Sequence, residues 1–159
     1  MKAIKARLFP CGVMLACGLL CLERPALAQS NCKEAKGNTV EVFDGIHTTT
    51  GTLSNGGWLD GTLVEVFNTP GYPTPDPSKV TFGSTFALTT NQGQLKGNRV
   101  YLYDIKTGQS TVMTTIDPNS STGIFAGATG LLFFNELNNT NQTTFYSVVG
   151  GQVCFAGGK

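Results

Sequence analysis

The stretch Lys79–Thr90, which reads KVTFGSTFALTT, alternates apolar and small polar residues along most of its length. Successive side chains of a β-strand point to opposite faces, so this period of two predicts a strand with one apolar and one threonine-rich face. The residues of the apolar face are Val80, Phe82, Phe86 and Leu88.

Short strands separated by turns continue on both sides of that stretch, and helical periodicity is almost absent. Turn signals include Asn55-Gly56-Gly57, Gly108 and Asp117-Pro118-Asn119. Eight or nine strands at spacings of about 8–12 residues are typical of an all-β sandwich or barrel. The predicted strands are Thr39–Phe43, Thr48–Ser54, Trp58–Phe67, Lys79–Thr90, Arg99–Ile105, Ser110–Ile116, Leu131–Phe134, Thr144–Val149 and Gln152–Phe155.

Three segments between these strands are predicted to be irregular. Asn68–Ser78 contains four prolines, which lack the N–H that a central strand needs, so it is predicted to be a long loop. A turn is predicted at Lys96–Asn98, and a polar loop at Asn135–Gln142.

Residues Met1 to Ala28 have the pattern of a secretory signal peptide. A basic start precedes an apolar run from Leu8 to Leu22, and small residues at Ala26 and Ala28 suit a signal peptidase. Cleavage would leave a single domain, 29–159, in a secreted or periplasmic location, with no transmembrane segment. An alternative is a lipoprotein signal ending at Cys17.

The charge that remains after cleavage argues against a nucleic-acid partner. The leader holds four basic residues and one acid, so seven basic residues face nine acidic ones in the mature chain. There is no run of like charges, whereas nucleic-acid binding requires a basic face.

Two cysteines remain in the mature chain, Cys32 and Cys154, one near each end. In an oxidising compartment they predict one disulfide; the alternative is two separate thiols. A bridge across so long a loop is worth about 4–5 kcal/mol in the chain-entropy model.

The stretch Ser121–Gly130 (STGIFAGATG) resembles the Gly-x-Phe-x-x-Ala-x-Gly turn of the allene oxide cyclase and dirigent proteins. The match is carried by Gly123, Phe125, Ala128 and Gly130. The glycines would permit tight corners, Phe125 would plug the end of a barrel, and Ala128 would permit close packing.

That resemblance implies an eight-stranded antiparallel, calycin-like β-barrel. Proteins of this superfamily hold apolar or aromatic guests in the barrel and direct a cyclisation or a radical coupling largely by shape. Gly51-Thr52-Leu53 and Gly61-Thr62-Leu63 flank a hairpin, as in the opening strands of such barrels.

Glu65 and Asp104 are the candidate catalytic acids. Glu65 shares a face with Leu63 and Phe67, and a carboxyl group held among apolar side chains is suited to proton transfer. We favour the alternative that Val64 and Val66 form the core face, which would leave Glu65 in solvent. The other early acids, Glu41 and Asp44, match no motif of the family.

Tyr101, Tyr103 and Phe133 are the candidate ligand-binding residues. Both tyrosines lie on one face of their strand, with Leu102 and Asp104 on the other. They would orient an aromatic guest if that face lines the lumen; we favour an outer position. Leu131–Phe134 is apolar on both faces, so its outer face needs cover from a loop or from a second protomer, and a homo-oligomer is one expected outcome.

No metal or organic cofactor is expected. His47 is the only histidine in the sequence, and one imidazole with scattered acids forms neither a zinc site nor a catalytic triad.

The function expected from the sequence is that of a non-catalytic scaffold or binder of a small apolar ligand. One alternative is a cyclase or isomerase that acts on an unsaturated hydrophobic substrate. A structural envelope or matrix protein is the other.

Overall fold

The computed structural model describes residues 31–138 and 143–157. The predicted signal peptide, 1–28, and the alternative site at Cys17 lie outside these residues. No helix in the described ranges is long and apolar enough to cross a membrane. The described residues form nine strands: β1 Asn31–Phe43, β2 Thr48–Ser54, β3 Gly61–Phe67, β4 Tyr72–Pro73, β5 Lys79–Thr90, β6 Gly93–Asp104, β7 Gln109–Ile116, β8 Thr129–Asn138 and β9 Thr144–Phe155.

Eight of these strands close into an antiparallel β-barrel, which confirms the predicted fold class. The order around the barrel is β3-β2-β1-β9-β8-β7-β6-β5, and β3 pairs with β5 to complete the ring. Closure leaves the eight strands without an exposed edge. The short β4 pairs with the start of β5 within the proline-rich segment.

Several strands are longer than the sequence predicts. One is β8, which runs through the first half of the loop predicted at Asn135–Gln142. β1 begins at Asn31, in a polar stretch without alternation, because it pairs with β9 over 12 residues. β6 runs through the predicted turn at Lys96–Asn98, since Gly97 permits close strand packing: a Cβ there would lie 2.3 Å from the Thr115 carbonyl oxygen. β9 likewise continues through Gly150-Gly151.

The barrel interior changes character from one end to the other. Leucine and other apolar side chains fill the half that contains the starts of β1 and β6. A polar and charged layer follows, and aromatic side chains surround the far end. The strands therefore enclose a packed core and, beyond it, a lumen that is not fully filled.

The turn Ser121–Gly130, which resembles the allene oxide cyclase and dirigent signature, closes one end of the barrel. Gly123–Phe125 form a 3-10 turn, and Phe125 is fully buried, with its ring 6.1 Å from that of Trp58 and 6.2 Å from that of Phe155. Gly123 has φ +64°, and a Cβ there would lie 2.2 Å from the Gln92 carbonyl oxygen. The positive-φ corner and the plug role of Phe125 are confirmed; we call this the closed end.

Cys32 and Cys154 form the predicted disulfide, which excludes the alternative of two separate thiols. They are directly opposite one another on β1 and β9, 122 residues apart in sequence. The bridge therefore joins two neighbouring strands of the barrel near the closed end.

Candidate functional site

A cavity of about 340 Å³ occupies the other end of the barrel, which we call the open end. Phe43, Thr49, Ser110, Glu136 and Asn138 contribute to its lining, so β1, β2, β7 and β8 all reach it. The remaining lining residues are Ile46, Phe67, Thr69, Gly71, Phe82, Tyr101, Tyr103 and Phe145.

Four aromatic rings pack into one wall of the cavity. Phe82 stacks on Tyr101 with centroids 4.5 Å apart, and Phe67 lies 5.6 Å from Phe82 and 5.8 Å from Tyr101. Phe43 meets Phe67 edge to face at 5.8 Å. Such pairs hold one another in place and present a rigid apolar surface to a guest.

Arg99 lies below this wall, fully buried within the barrel. Its Nη1 donates to Glu65 Oε2 at 2.9 Å and lies 3.5 Å from Glu41 Oε2. The guanidinium carbon is 4.4 Å from the ring centroid of Phe86 and 4.1 Å from that of Phe134. Two carboxylates and two π faces thus compensate for the loss of water around this cation.

Glu65 is buried, and the interpretation that leaves it in solvent is wrong. It is 1% exposed, whereas Val64 is 43% exposed on the outer face. Besides Arg99, it accepts hydrogen bonds from the hydroxyls of Tyr101, Ser84 and Thr49. Since β3 places acid and leucine on one face and valine on the other, side-chain partners, not hydrophobicity, decide which face is inside.

Glu41, on β1, completes the pair of carboxylates around Arg99. The Thr49 hydroxyl bridges the two acids, at 3.1 Å from Glu41 Oε2 and 3.2 Å from Glu65 Oε2. Burial raises the pKa of Glu41, an effect that the Arg99 charge opposes. Nothing in the sequence around Glu41 indicates this role, because its partners come from three other strands.

Tyr101 faces the lumen, which corrects the favoured outer position of the two tyrosines. Its hydroxyl donates to Glu65 Oε1 at 2.5 Å and accepts from Arg99 Nη1 at 3.2 Å. Burial raises the pKa of Tyr101 well above its usual value. Tyr103 also lines the cavity, and its hydroxyl is 3.4 Å from Asn138 Nδ2.

Glu136 is the acid at the cavity that sequence reasoning missed. It lies on β8, in what was predicted to be a loop, and is 8% exposed. Its Oε2 has no hydrogen-bond partner among the described residues. Extending the period of two from Leu132 and Phe134 would have placed Glu136 in the lumen.

The pKa of Glu136 is raised to about 8. Burial is the main cause, and the neighbouring charge of Glu41 adds to it; the Arg99 charge acts in the opposite direction. A carboxyl group with this pKa is mostly protonated at pH 7, so Glu136 is suited to act as a proton donor.

Two predicted site residues lie away from the cavity. Phe133, predicted to bind ligand, is 43% exposed on the outer face, because its neighbour Phe134 takes the inward position. Asp104 is at the end of β6, where its Oδ1 accepts hydrogen bonds from the backbone N–H groups of Lys106 and Thr107. It does not line the cavity.

Asp44 and His47, the other two residues considered from the sequence, lie in the turn between β1 and β2. Asp44 Oδ1 accepts hydrogen bonds from the backbone N–H groups of Ile46, His47 and Thr48, which shapes the β1–β2 turn. His47 is exposed in that turn. Within residues 31–138 and 143–157, no group of three His, Cys, Asp or Glu residues is placed to hold a metal ion.

Comparisons with family models, with curated proteins and with solved structures gave no match to this chain. Three features define the chemistry of the cavity. They are the aromatic wall, the carboxyl group of Glu136 with its raised pKa, and the ion-paired cluster of Arg99 with Glu41 and Glu65 beneath them. These groups can hold an apolar guest and exchange one proton with it.

Proposed function

We propose that the barrel binds a small, mainly apolar molecule in the cavity at the open end. The observation that carries this proposal is an aromatic cavity of about 340 Å³ in a barrel whose other end is packed shut. A cavity lined by aromatic rings with a few convergent polar groups is the usual form of a small-molecule site.

We also propose that the chain is related to the allene oxide cyclase and dirigent proteins. The closed eight-stranded barrel and the corner from Gly123 to Gly130 support this relationship. Ala128 is fully buried at that corner, as its place in the signature requires.

Blocking the cavity tests the binding proposal. Gly71 lines it, and a Cβ at Gly71 would meet no atom within 4 Å, so Gly71→Phe can add a ring there without strain. With the uncharged fluorescent probe N-phenyl-1-naphthylamine, we expect wild-type protein to bind and Gly71→Phe to bind at least roughly tenfold more weakly.

Gly150→Phe is the matched control, since Gly150 also has open space around it but pairs with the outward Phe133 on β9. It should bind the probe like wild type. Absence of probe binding to wild type, or equal binding to Gly71→Phe, would refute a ligand site at the open end.

A second candidate function is proton-assisted isomerisation or cyclisation of an unsaturated guest. The raised pKa of Glu136 favours it, because a carboxylic acid that is protonated at neutral pH can protonate a bound substrate. If native mass spectrometry of protein purified from its own source finds an unsaturated guest, wild type should convert it and Glu136→Gln should only bind it.

The proposed location is extracellular or periplasmic, with processing after Ala28. The disulfide between Cys32 and Cys154 supports this location, because such bridges persist in oxidising compartments. Intact mass and N-terminal sequencing of the exported protein should give Gln29 as the first residue; retention of Met1 would contradict it.

We propose that two or more barrels associate through their outer faces. An exposed apolar row crosses β6, β7 and β8, where Val100 pairs with Met113 and Met113 with Phe133. Apolar rows of this kind are common at subunit contacts. Native mass spectrometry measures the oligomeric state directly.

A further inference from the structure

The interior of the barrel contains more acidic than basic groups. Glu41, Glu65 and Glu136 are buried, and Arg99 is the buried cation among the described residues. Arg99 forms its two ion pairs with Glu41 and Glu65. Glu136 forms none, and its Oε2 has no hydrogen-bond partner in the described part of the chain.

The groups that a ligand could meet at the cavity include two unpartnered oxygens and several π faces. Asn138 Oδ1, two positions along β8 from Glu136, is a second buried atom without a partner among the described residues. The described lining includes no lysine or arginine, and six of its residues are aromatic. Carboxyl oxygen, amide oxygen and ring faces all attract positive charge.

We propose that the ligand of this cavity is an organic cation, an amine or quaternary ammonium on an aromatic or branched apolar body. The cationic group lies against Glu136, and the aromatic wall of Phe43, Phe67, Phe82 and Tyr101 surrounds the apolar body. This inference rests on the proposed function, to which it adds the charge and class of the ligand.

A neutral ligand fits these groups less well. A carbonyl oxygen could accept the proton of Glu136, but it would leave Asn138 Oδ1 without a donor, and a neutral body would gain only apolar contact from the ring faces. A protonated amine can donate to both oxygens, a quaternary ammonium can set its positive charge against them, and either cation lies favourably over the rings. An anion would face the two free oxygens without a cation to compensate.

The groups that face Glu136 explain how a cation would change its charge. Ser110 of β7 and Ser147 of β9 pair with it across the sheet and do not titrate. Across the lumen, the nearby titratable groups are Glu41 on β1, Glu65 on β3, and Arg99 and Tyr101 on β6. Arg99 directs its Nη1 to Glu41 and Glu65 and forms no ion pair with Glu136. A cation in the cavity would therefore be the partner that Glu136 lacks, and the proton of Glu136 would be released to solvent.

Phenyltrimethylammonium and its neutral isostere tert-butylbenzene test the inference, because they have the same shape and differ by one charge. By NMR titration of the full processed protein at pH 7, the cation should bind at least about tenfold more tightly than the isostere. Calorimetry in buffers of different ionisation enthalpy should show release of up to about one proton per cation bound. Cation affinity should rise with pH up to about 8, the pKa of Glu136 in the free protein.

Glu136→Gln should lose the preference for the cation and the proton release while it still binds the isostere. Glu34→Gln removes the same charge from an exposed position of β1 and should behave like wild type. Equal binding of both probes would refute the cation inference and leave the proposed function intact. An unchanged preference for the cation in Glu136→Gln would also refute the cation inference and leave the proposed function intact. Failure of both probes and of N-phenyl-1-naphthylamine would refute both.

Discussion

The two ends of the barrel are built from the same eight strands but are filled in opposite ways. At the closed end, Phe125 packs between Trp58 and Phe155, and leucine side chains fill the space behind them. At the open end, aromatic rings stand around an unfilled cavity with Glu136 on its lining.

The difference shows how a small barrel separates stability from binding. Close apolar packing at one end supplies most of the burial that stabilises the fold. The other end can then hold buried carboxyls, two oxygens without a partner among the described residues, and a cavity, all of which cost stability. Between them, Arg99 neutralises two of the three buried acids.

Removal of Arg99 should have the largest effect on stability. Arg99→Leu leaves Glu41 and Glu65 buried without a cation, and breaking a buried pair in this way costs about 3–5 kcal/mol; we expect the upper part of that range. Urea denaturation measures the loss. Lys36→Leu, which removes an exposed charge, should change stability by less than about 0.5 kcal/mol.

Truncation of matched phenylalanines tests the contrast between the ends. Phe125→Ala should cost about 3–4 kcal/mol, because it opens a cavity in a packed region. Phe82→Ala, at the lining of the existing cavity, should cost roughly half as much, since its ring is only partly buried. Equal losses in thermal or urea unfolding would show that the open end is as tightly packed as the closed one.

Glu136 should make the protein less stable as the pH rises. Its pKa is about 8 in the folded state against an ordinary value of 4.5, so the folded protein binds more protons between these limits. The free energy of unfolding therefore falls from about pH 4.5 to pH 8, then levels off. The stability advantage of Glu136→Gln over wild type should therefore grow by up to about 4 kcal/mol between pH 4.5 and pH 8. A constant difference across this range would show that Glu136 does not titrate as inferred.

A change on the outer face should have the smallest effect on the fold. Phe133→Ser replaces an exposed ring on the outer surface of the barrel, away from the core and the cavity. It should alter the stability of the monomer by less than about 0.5 kcal/mol. If the outer apolar row joins two barrels, the same variant should shift the population to monomer in native mass spectrometry. An unchanged oligomeric state would place the contact elsewhere.

Several parts of this architecture could be predicted because their signals are local. Alternation along Lys79–Thr90 identified β5, and the glycines flanking Phe125 identified the plugged corner. Cys32 and Cys154, the two cysteines outside the predicted leader, identified the disulfide. The full length of β1 could not be predicted, since its polar first half is a strand only through pairing with β9.

The candidate site could be predicted only in fragments. The sequence identifies Glu65 as a candidate catalytic acid and Tyr101 and Tyr103 as candidate ligand-binding residues, but it does not indicate that they face inward. Both faces of β3 carry apolar residues. The alternation therefore places Glu65 on the same face as Leu63, but it does not indicate which of the two faces is buried. The sequence does not identify Glu136, because the polar residues around it in Asn135–Gln142 predict a loop instead of a strand.

By itself, the sequence determined the class of fold, the corner around Phe125 and the cysteine pair. The first two depend on residues close together in the chain, and the pairing follows because Cys32 and Cys154 are the two cysteines outside the predicted leader. The tertiary structure alone decided which faces point inward and how the charges are paired. The physical reason is that Glu41, Glu65, Arg99 and Glu136 come from four strands, and their energies depend on distances that exist only once the barrel has closed.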